Sequence, residues 1–252
     1  MLTKKNRVWA VVALLTGVIG FSSCLKNDNN VTPQRPMAQI VIKNASTSAL
    51  SVAPFLFDND QKVAEDTIKF NITATYAVYG GPHKFDLKKK AGDSLIATTG
   101  IYNLDSTQYY TYLTWGTSPV VSAFIKTDQS NYSTSKIGLR FLNLSPDAGP
   151  VDVYIGDENG QKIDSNRTTF TQSQIGSAST FQQFSSFSVN NRITVTQAGT
   201  KTVIANFTLP GATKNLIPTS FAPGNFYTIY LAGNKGSTGV DKVFVSAFYS
   251  LY

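Results

Sequence analysis

The chain has 252 residues, 42% of them hydrophobic and 15% charged, and a formal net charge of +7. That apolar content excludes wholesale disorder, and the length allows one large domain or two of ordinary size. A single Cys excludes a disulfide framework and any multi-thiolate metal site, and a single His, His83, excludes a two-histidine zinc centre.

Lys4, Lys5 and Arg7 open the chain with no acidic residue nearby, and Val8 to Phe21 is apolar apart from Thr and Gly. The run is too short to span a membrane comfortably and fits the hydrophobic region of a secretory signal. Phe21-Ser22-Ser23-Cys24 follows, placing small residues before the only Cys. It resembles the bacterial lipobox, with Phe21 where an aliphatic residue is usual, a variation of Bacteroidetes-like versions. The resemblance implies a signal peptide over residues 1–23, lipidation at Cys24 and a polar, proline-containing tether over residues 24–36. Several acyl chains on Cys24 give stable anchoring, because one alone is marginal. Removing the signal takes away three basic residues, so the net charge falls from +7 to +4. Lys88-Lys89-Lys90 is the only basic run, too small a footprint for nucleic acid. The expected partners are the membrane, through Cys24, and an envelope protein or glycan; the face of the outer membrane stays open.

Beyond the tether, period-2 alternation predicts short strands, among them Gln39–Ile42, Val151–Ile155, Arg192–Thr196, Phe226–Leu231 and Lys242–Phe248. Turn signals separate them, including Asp58-Asn59-Asp60, Gly160, Gly199 and Pro223-Gly224. No dozen-residue segment carries a capped 3.6-residue apolar face, so the fold class is all-β.

An internal repeat organises these strands. Ile40–Ser46 aligns with Leu139–Ser145 at an offset of 99, and Gln108–Gly116 with Asn225–Gly233 at an offset of 117. The drift places extra loop in the second copy, around Asp157 to Ser179 and Thr208 to Pro218. Two tandem immunoglobulin-like β-sandwich domains are expected, over residues 37–127 and 136–252, joined by a polar linker at 128–135.

Leu139 to Ile155, with its Ser145-Pro146-Asp147-Ala148 turn and Val151-Asp152-Val153-Tyr154 strand, resembles the opening of the domain-of-unknown-function 4397 family. Thr194–Leu209 and Ala222–Gly233 add two further blocks in order. The resemblance is clear over residues 137–250 and weak over 37–127, where Ser46-Thr47-Ser48-Ala49 replaces the turn. It implies secreted or lipid-anchored β domains, often in tandem, and no established chemistry.

The candidate sites are sparse. Tyr110, Trp115 and Tyr230 lie in aromatic-rich final strands, where they either pack a core or form an outward glycan platform. Asp147 and Asp152 make an envelope hydrolase the competing class, although Asp152 alternates with Val151 and Val153 and is expected to face solvent. His83 reads as an exposed turn. Thr67, Ser94 and Ser106 follow aspartates in a pattern similar to Bacteroidetes O-glycosylation sites. No cofactor or metal is expected, and the leading reading is a non-catalytic, membrane-anchored structural or binding module. The anchor is checked by growth with a clickable fatty acid. Label should enter the native protein and be lost in Cys24→Ala; label retained by that variant would sink the assignment.

Overall fold

The structure, a computed structural model, describes residues 35–48, 53–63, 67–89, 94–212 and 216–250. The signal, Cys24 and nearly all of the tether lie outside the described residues. In the first half the strands are β1 (Met37–Asn44), β2 (Phe55–Asp58), β3 (Gln61–Lys62), β4 (Thr73–Tyr79), β5 (Gly81–His83), β6 (Phe85–Lys88), β7 (Leu95–Thr98), β8 (Tyr102–Leu104), β9 (Tyr109–Trp115) and β10 (Val121–Lys126). The second half has β11 (Ile137–Asn143), β12 (Val151–Ile155), β13 (Gln161–Arg167), β14 (Gln182–Phe184), β15 (Arg192–Gln197), β16 (Val203–Thr208), β17 (Asn225–Ala232) and β18 (Phe244–Tyr249). Short 3₁₀ turns at Gln172–Gln174 and Ser177–Ser179 precede β14.

The two halves share one wiring. Sheet order β10-β9-β1-β4 corresponds strand for strand to β18-β17-β11-β14, and β3-β2-β6-β7 to β13-β12-β15-β16. The two-stranded sheet β5-β8 is extra to the first half. In each half the opening strand lies parallel to a late one, β1 to β9 and β11 to β17, while the other sheet pairings are antiparallel. An immunoglobulin domain instead sorts its strands as ABED and CFG. The expected immunoglobulin-like order is therefore corrected: each first strand is drawn between the fourth strand and the parallel late one.

Equivalent side chains do equivalent work at the predicted offsets. Asn44 and Asn143, 99 apart, both accept the N–H of the serine two residues on, Ser46 and Ser145. Tyr110 and Tyr227, 117 apart, both take a backbone N–H five residues upstream on their hydroxyl, from Asp105 and Ala222. Gly116 and Gly233 follow β9 and β17 at φ of 88° and 83°. A Cβ at Gly233 would stand 2.5 Å from the Lys242 carbonyl oxygen, so both the turn and the close approach require glycine there.

Alternation then builds three apolar layers. Ile40 and Ile42 of β1 pack inward with Leu56, Phe85, Leu87, Tyr112 and Phe124. Leu139 and Phe141 of β11 pack inward with Val151, Val153, Ile193, Tyr227 and Ile229. The outward residues of the same strands meet across the halves: Val41, Leu113, Trp115 and Ile125 with Leu142, Phe170, Tyr230 and Phe248. Every residue of β11 is consequently buried, since it has a core on one face and the other half on its second. Residues 36–252 form one compact unit. The connecting segment is docked rather than free: Tyr132 stacks on Phe226 at 5.7 Å and its hydroxyl donates to the Gly224 carbonyl.

Two cations sit inside the layer between the halves. Lys43 is 0% exposed, its Nζ donating to the Asn71 carbonyl (2.8 Å) and the Thr73 hydroxyl (3.2 Å) over the rings of Tyr230 and Phe248. Tyr230 in turn donates to Asn71 Oδ1 at 2.6 Å, so Asn71 ties Lys43 to the second half. Arg140 donates from Nε to Thr228 (2.6 Å) and from Nη2 to Thr111 (2.7 Å), the same position in the two copies, and from Nη1 to the Ala178 carbonyl (2.9 Å). Among the described residues neither cation has an ion-pair partner. Desolvation pushes Lys43 from 10.5 down to about 7 and Arg140 down to about 9. Because the folded-state value of Lys43 lies below its unfolded one, the unfolded chain holds the extra proton between them. This group therefore makes stability climb as pH rises from about 7 toward 10.5, and leaves it flat below 7. Urea unfolding of Lys43→Met against native chain should show that climb reduced by roughly a few kcal/mol. At pH 6 the variant should be no less stable, since an apolar side chain replaces an unpaired buried charge. An unchanged climb in the variant refutes the role of Lys43.

Candidate functional site

The three aromatic candidates fall in the interior. Tyr110 is 7% exposed and packs in the first half's core; Trp115 (6%) and Tyr230 (0%) lie in the layer between the halves. Trp115 packs against Phe170 at 5.6 Å, and Tyr230 is held by Phe244, Phe248 and Asn71. No flat exposed platform is made of them, which corrects the glycan-platform reading of these residues. Alternation had turned Trp115 and Tyr230 away from their own cores, but a second sheet covers that side.

Asp152 is buried, at 2% exposure, a correction to the solvent-facing expectation. Its carboxylate accepts from Lys162 Nζ (2.7 Å), the Asn166 N–H (2.9 Å) and the Gly199 N–H (3.2 Å), pinning β13 and the β15–β16 turn to β12. Burial acts against its charge, yet these bonds hold the carboxyl below the usual range. Asp147 is engaged elsewhere, accepting from the Ser145 hydroxyl (3.1 Å) and the Lys235 N–H (2.8 Å). The two carboxylates share no partner and make no acid–base pair. His83 is also corrected from an exposed turn to a half-buried site in β5. Its Nδ1 lies 2.8 Å from Asp58 Oδ1 and its Nε2 2.9 Å from the Tyr79 carbonyl oxygen. Asp58 precedes a two-residue hairpin in which Asn59 and Asp60 have φ of 46° and 65°, the turn its sequence signalled. Of the hydroxyl candidates, Ser94 is exposed between β6 and β7, while Thr67 and Ser106 are half-buried. Cys24 lies outside the described residues. Among those residues no cluster of three or more His, Cys, Asp or Glu side chains is placed to hold a metal.

What the sequence did not single out is a recess beside β11. In the first half β4 pairs with β1 from Met37 to Lys43, so Ile42 faces Ala74. In the second half β14 pairs with β11 only from Ile137 to Leu139, and the segment carrying the two 3₁₀ turns takes the place of the missing strand. The edge closes again where the Phe170 N–H reaches the Asn143 carbonyl at 2.6 Å. Between those points lies a cavity of about 80 Å³, lined by Arg140, Phe141, Asp164, Arg167, Thr180 and Gln182 among others. At its rim Arg167 Nη2 pairs with Asp164 at 2.8 Å, which neutralises that carboxylate. The extra loop was foreseen near Asp157 to Ser179; the opening it leaves in the sheet was not.

No curated protein matches the sequence. Among solved structures, a streptococcal virulence factor described for alpha-glucan binding aligns at 10% identity over 82% of this chain and 96% of its own, with a TM-score of 0.26. Family 41 carbohydrate-binding modules from streptococcal virulence factors, described for alpha-glucan recognition, align at 9% identity, with the same coverage and TM-score. A protein of Bacteroides eggerthii DSM 20697, provisionally described as a cell adhesion protein, aligns at 12% identity over 89% of this chain and 98% of its own, with a TM-score of 0.23. Likeness at that level carries no argument, and the functional reading rests on the chain's own residues. A family model described as "Domain of unknown function (DUF4397)" matches residues 38–154. The match thus lies on the first half and the opening strands of the second, not over residues 137–250 where the resemblance reads most clearly. By that match residues 38–154 carry the similarity to the DUF4397 family.

Proposed function

We propose that this is a lipid-anchored envelope protein of Bacteroidetes type whose folded part is a non-catalytic binding module. In this reading residues 1–23 are removed, Cys24 carries the lipid, and residues 24–36 lift two tandem β-sandwiches, 37–127 and 136–252, off the membrane. The anchor reading rests on the signal and lipobox pattern alone, and the face of the membrane stays open.

The observation that carries the binding role is the recess beside β11. The first half completes the equivalent sheet edge with a full-length strand, whereas the second half leaves a polar opening lined in part by the buried Arg140. A module built only to be a spacer gains nothing from that departure, which leaves backbone groups without ladder partners. The side chains that offered chemistry in the sequence are occupied structurally, Asp152 by three donors and His83 by two acceptors. A glycan-binding role loses Tyr110, Trp115 and Tyr230 as its platform and would need another surface.

The non-catalytic reading is tested with the full-length protein in mild detergent, assayed against peptide, ester and glycoside substrates. Native chain, Asp147→Asn and Asp152→Asn should all give no turnover above buffer. Turnover by the native chain that Asp147→Asn abolishes would overturn the reading in favour of an envelope hydrolase.

A further inference from the structure

The recess has a definite chemistry. Along β11, successive residues turn their backbone groups to opposite edges. Leu144 donates its N–H toward β17, to the Leu231 carbonyl, whereas the Asn143 carbonyl faces the other way, toward Phe170. Counting back by twos from Asn143, Phe141 presents its N–H and C=O to the β14 side, where β14 has already ended. Its counterpart in the first half, Ile42, has Ala74 opposite it. The cavity therefore opens on a strand position whose donor and acceptor have no partner among the described residues.

Beside it stands Arg140, 5% exposed and part of the cavity wall. A guanidinium carries five N–H donors. Three of them go to Thr228, Ala178 and Thr111, and its flat face lies over the Phe181 ring at 4.7 Å. Two donors are left without a protein acceptor, and the charge without a counter-ion, among the described residues. Asp164, the carboxylate in the wall, is already matched by Arg167. A desolvated cation with spare donors favours an anion over a neutral guest, and a planar fork favours a carboxylate. A cavity of about 80 Å³ has room for several waters or for one small acid group.

We propose that this recess is a carboxylate-binding site, in which Arg140 and the Phe141 N–H hold an acid group borne by an acidic peptide or a uronic sugar. The assignment deepens the binding-module reading and rests on it. Phe141 fixes the depth of entry through the backbone, and Arg140 supplies the charge. Thr180, Gln182 and the Arg167–Asp164 pair at the rim meet whatever carries the acid. In the first half the equivalent edge is closed by β4.

The test is a titration of the full-length protein in mild detergent, followed by amide NMR and calorimetry. The probes are acetate, glucuronate, a short peptide with a free C-terminal carboxylate, and the same peptide amidated. Acids should move the Phe141 and Leu142 amide resonances and bind at millimolar concentration or better, while the amidated peptide should not. Stronger binding by glucuronate or by the acid peptide identifies the source of the carboxylate. Arg140→Lys keeps the charge but loses the fork, and should weaken binding about tenfold or more. Gln182→Trp, at the mouth, should block binding while leaving the contacts of Arg140 to both halves in place, and so separates loss of the site from loss of the fold. Equal binding of the acid and amidated peptides, or no response at Phe141, overturns the proposal and leaves a water-filled recess. If the carboxylates fail while a neutral glycan or a protein binds the native chain, the carboxylate assignment falls and the binding-module reading stands.

Discussion

Two cations buried between back-to-back sheets set the terms for the rest of the molecule. Taking an unpaired ammonium or guanidinium out of water costs several kcal/mol even after relaxation, roughly the size of a small domain's whole stability. Among the described residues both are accommodated without carboxylates. Lys43 is capped by the Asn71 carbonyl and the Thr73 hydroxyl beneath two rings, and desolvation lowers its affinity for the proton. Arg140 spreads its charge over hydroxyls from both halves. The rings over Lys43 and one hydroxyl of Arg140 come from the opposite half, so the halves are joined by polar contacts as well as by the apolar layer around them.

That layer also explains why one recess exists and not two. The halves carry the same wiring, yet their first strands are used differently on the outward side. At the aligned positions β1 has Val41 and then Lys43, and β11 has Arg140 and then Leu142. Arg140 sits toward the strand edge that the loop before β14 leaves uncovered, and Ala178 from that loop supplies one of its acceptors. Gly138 contributes on the same face: a Cβ there would stand 2.5 Å from the Phe226 ring, which stacks on Tyr132 and meets Phe181 edge to face. The missing side chain makes room for that ring against β11.

How far the sequence discloses this depends on the range of the interaction. Alternation and turn residues are local, so the strands and the Asn59-Asp60 hairpin were legible from a few positions each. The repeat was legible because equivalent residues, such as Tyr110 and Tyr227, do the same job at a fixed offset. Strand order was not, since a parallel pairing of β1 with β9 leaves no mark in either strand that an antiparallel one would lack. Alternation tells which residues turn away from their own core but not whether another sheet covers them. That is why Trp115 and Tyr230 read equally well as a platform or as packing. Asp152 was misplaced for a related reason: a polar residue between two valines faces away from the core, but Lys162 and two backbone N–H groups close over it. The recess was invisible altogether, because it is made by the absence of a partner opposite Phe141.

The interface also selects its own partner. Lys43 lies over Tyr230 and Phe248 of the second half. At the offset of 117, and by the matching pairing of β9 with β10 and β17 with β18, their counterparts in the first half are Leu113 and Ile125. If two first halves met through this face, each Lys43 would meet aliphatic side chains. These offer no ring face for the cation and no hydroxyl to fix Asn71. The charge would then be buried with less compensation, so the homotypic pairing is penalised where the heterotypic one is not. Buried ionic groups of this kind add little to stability beyond what apolar packing gives, and their best-attested use is to fix which surfaces pair and in what register. Here that use accounts for a costly lysine in a layer whose apolar part is made of aliphatic and aromatic residues.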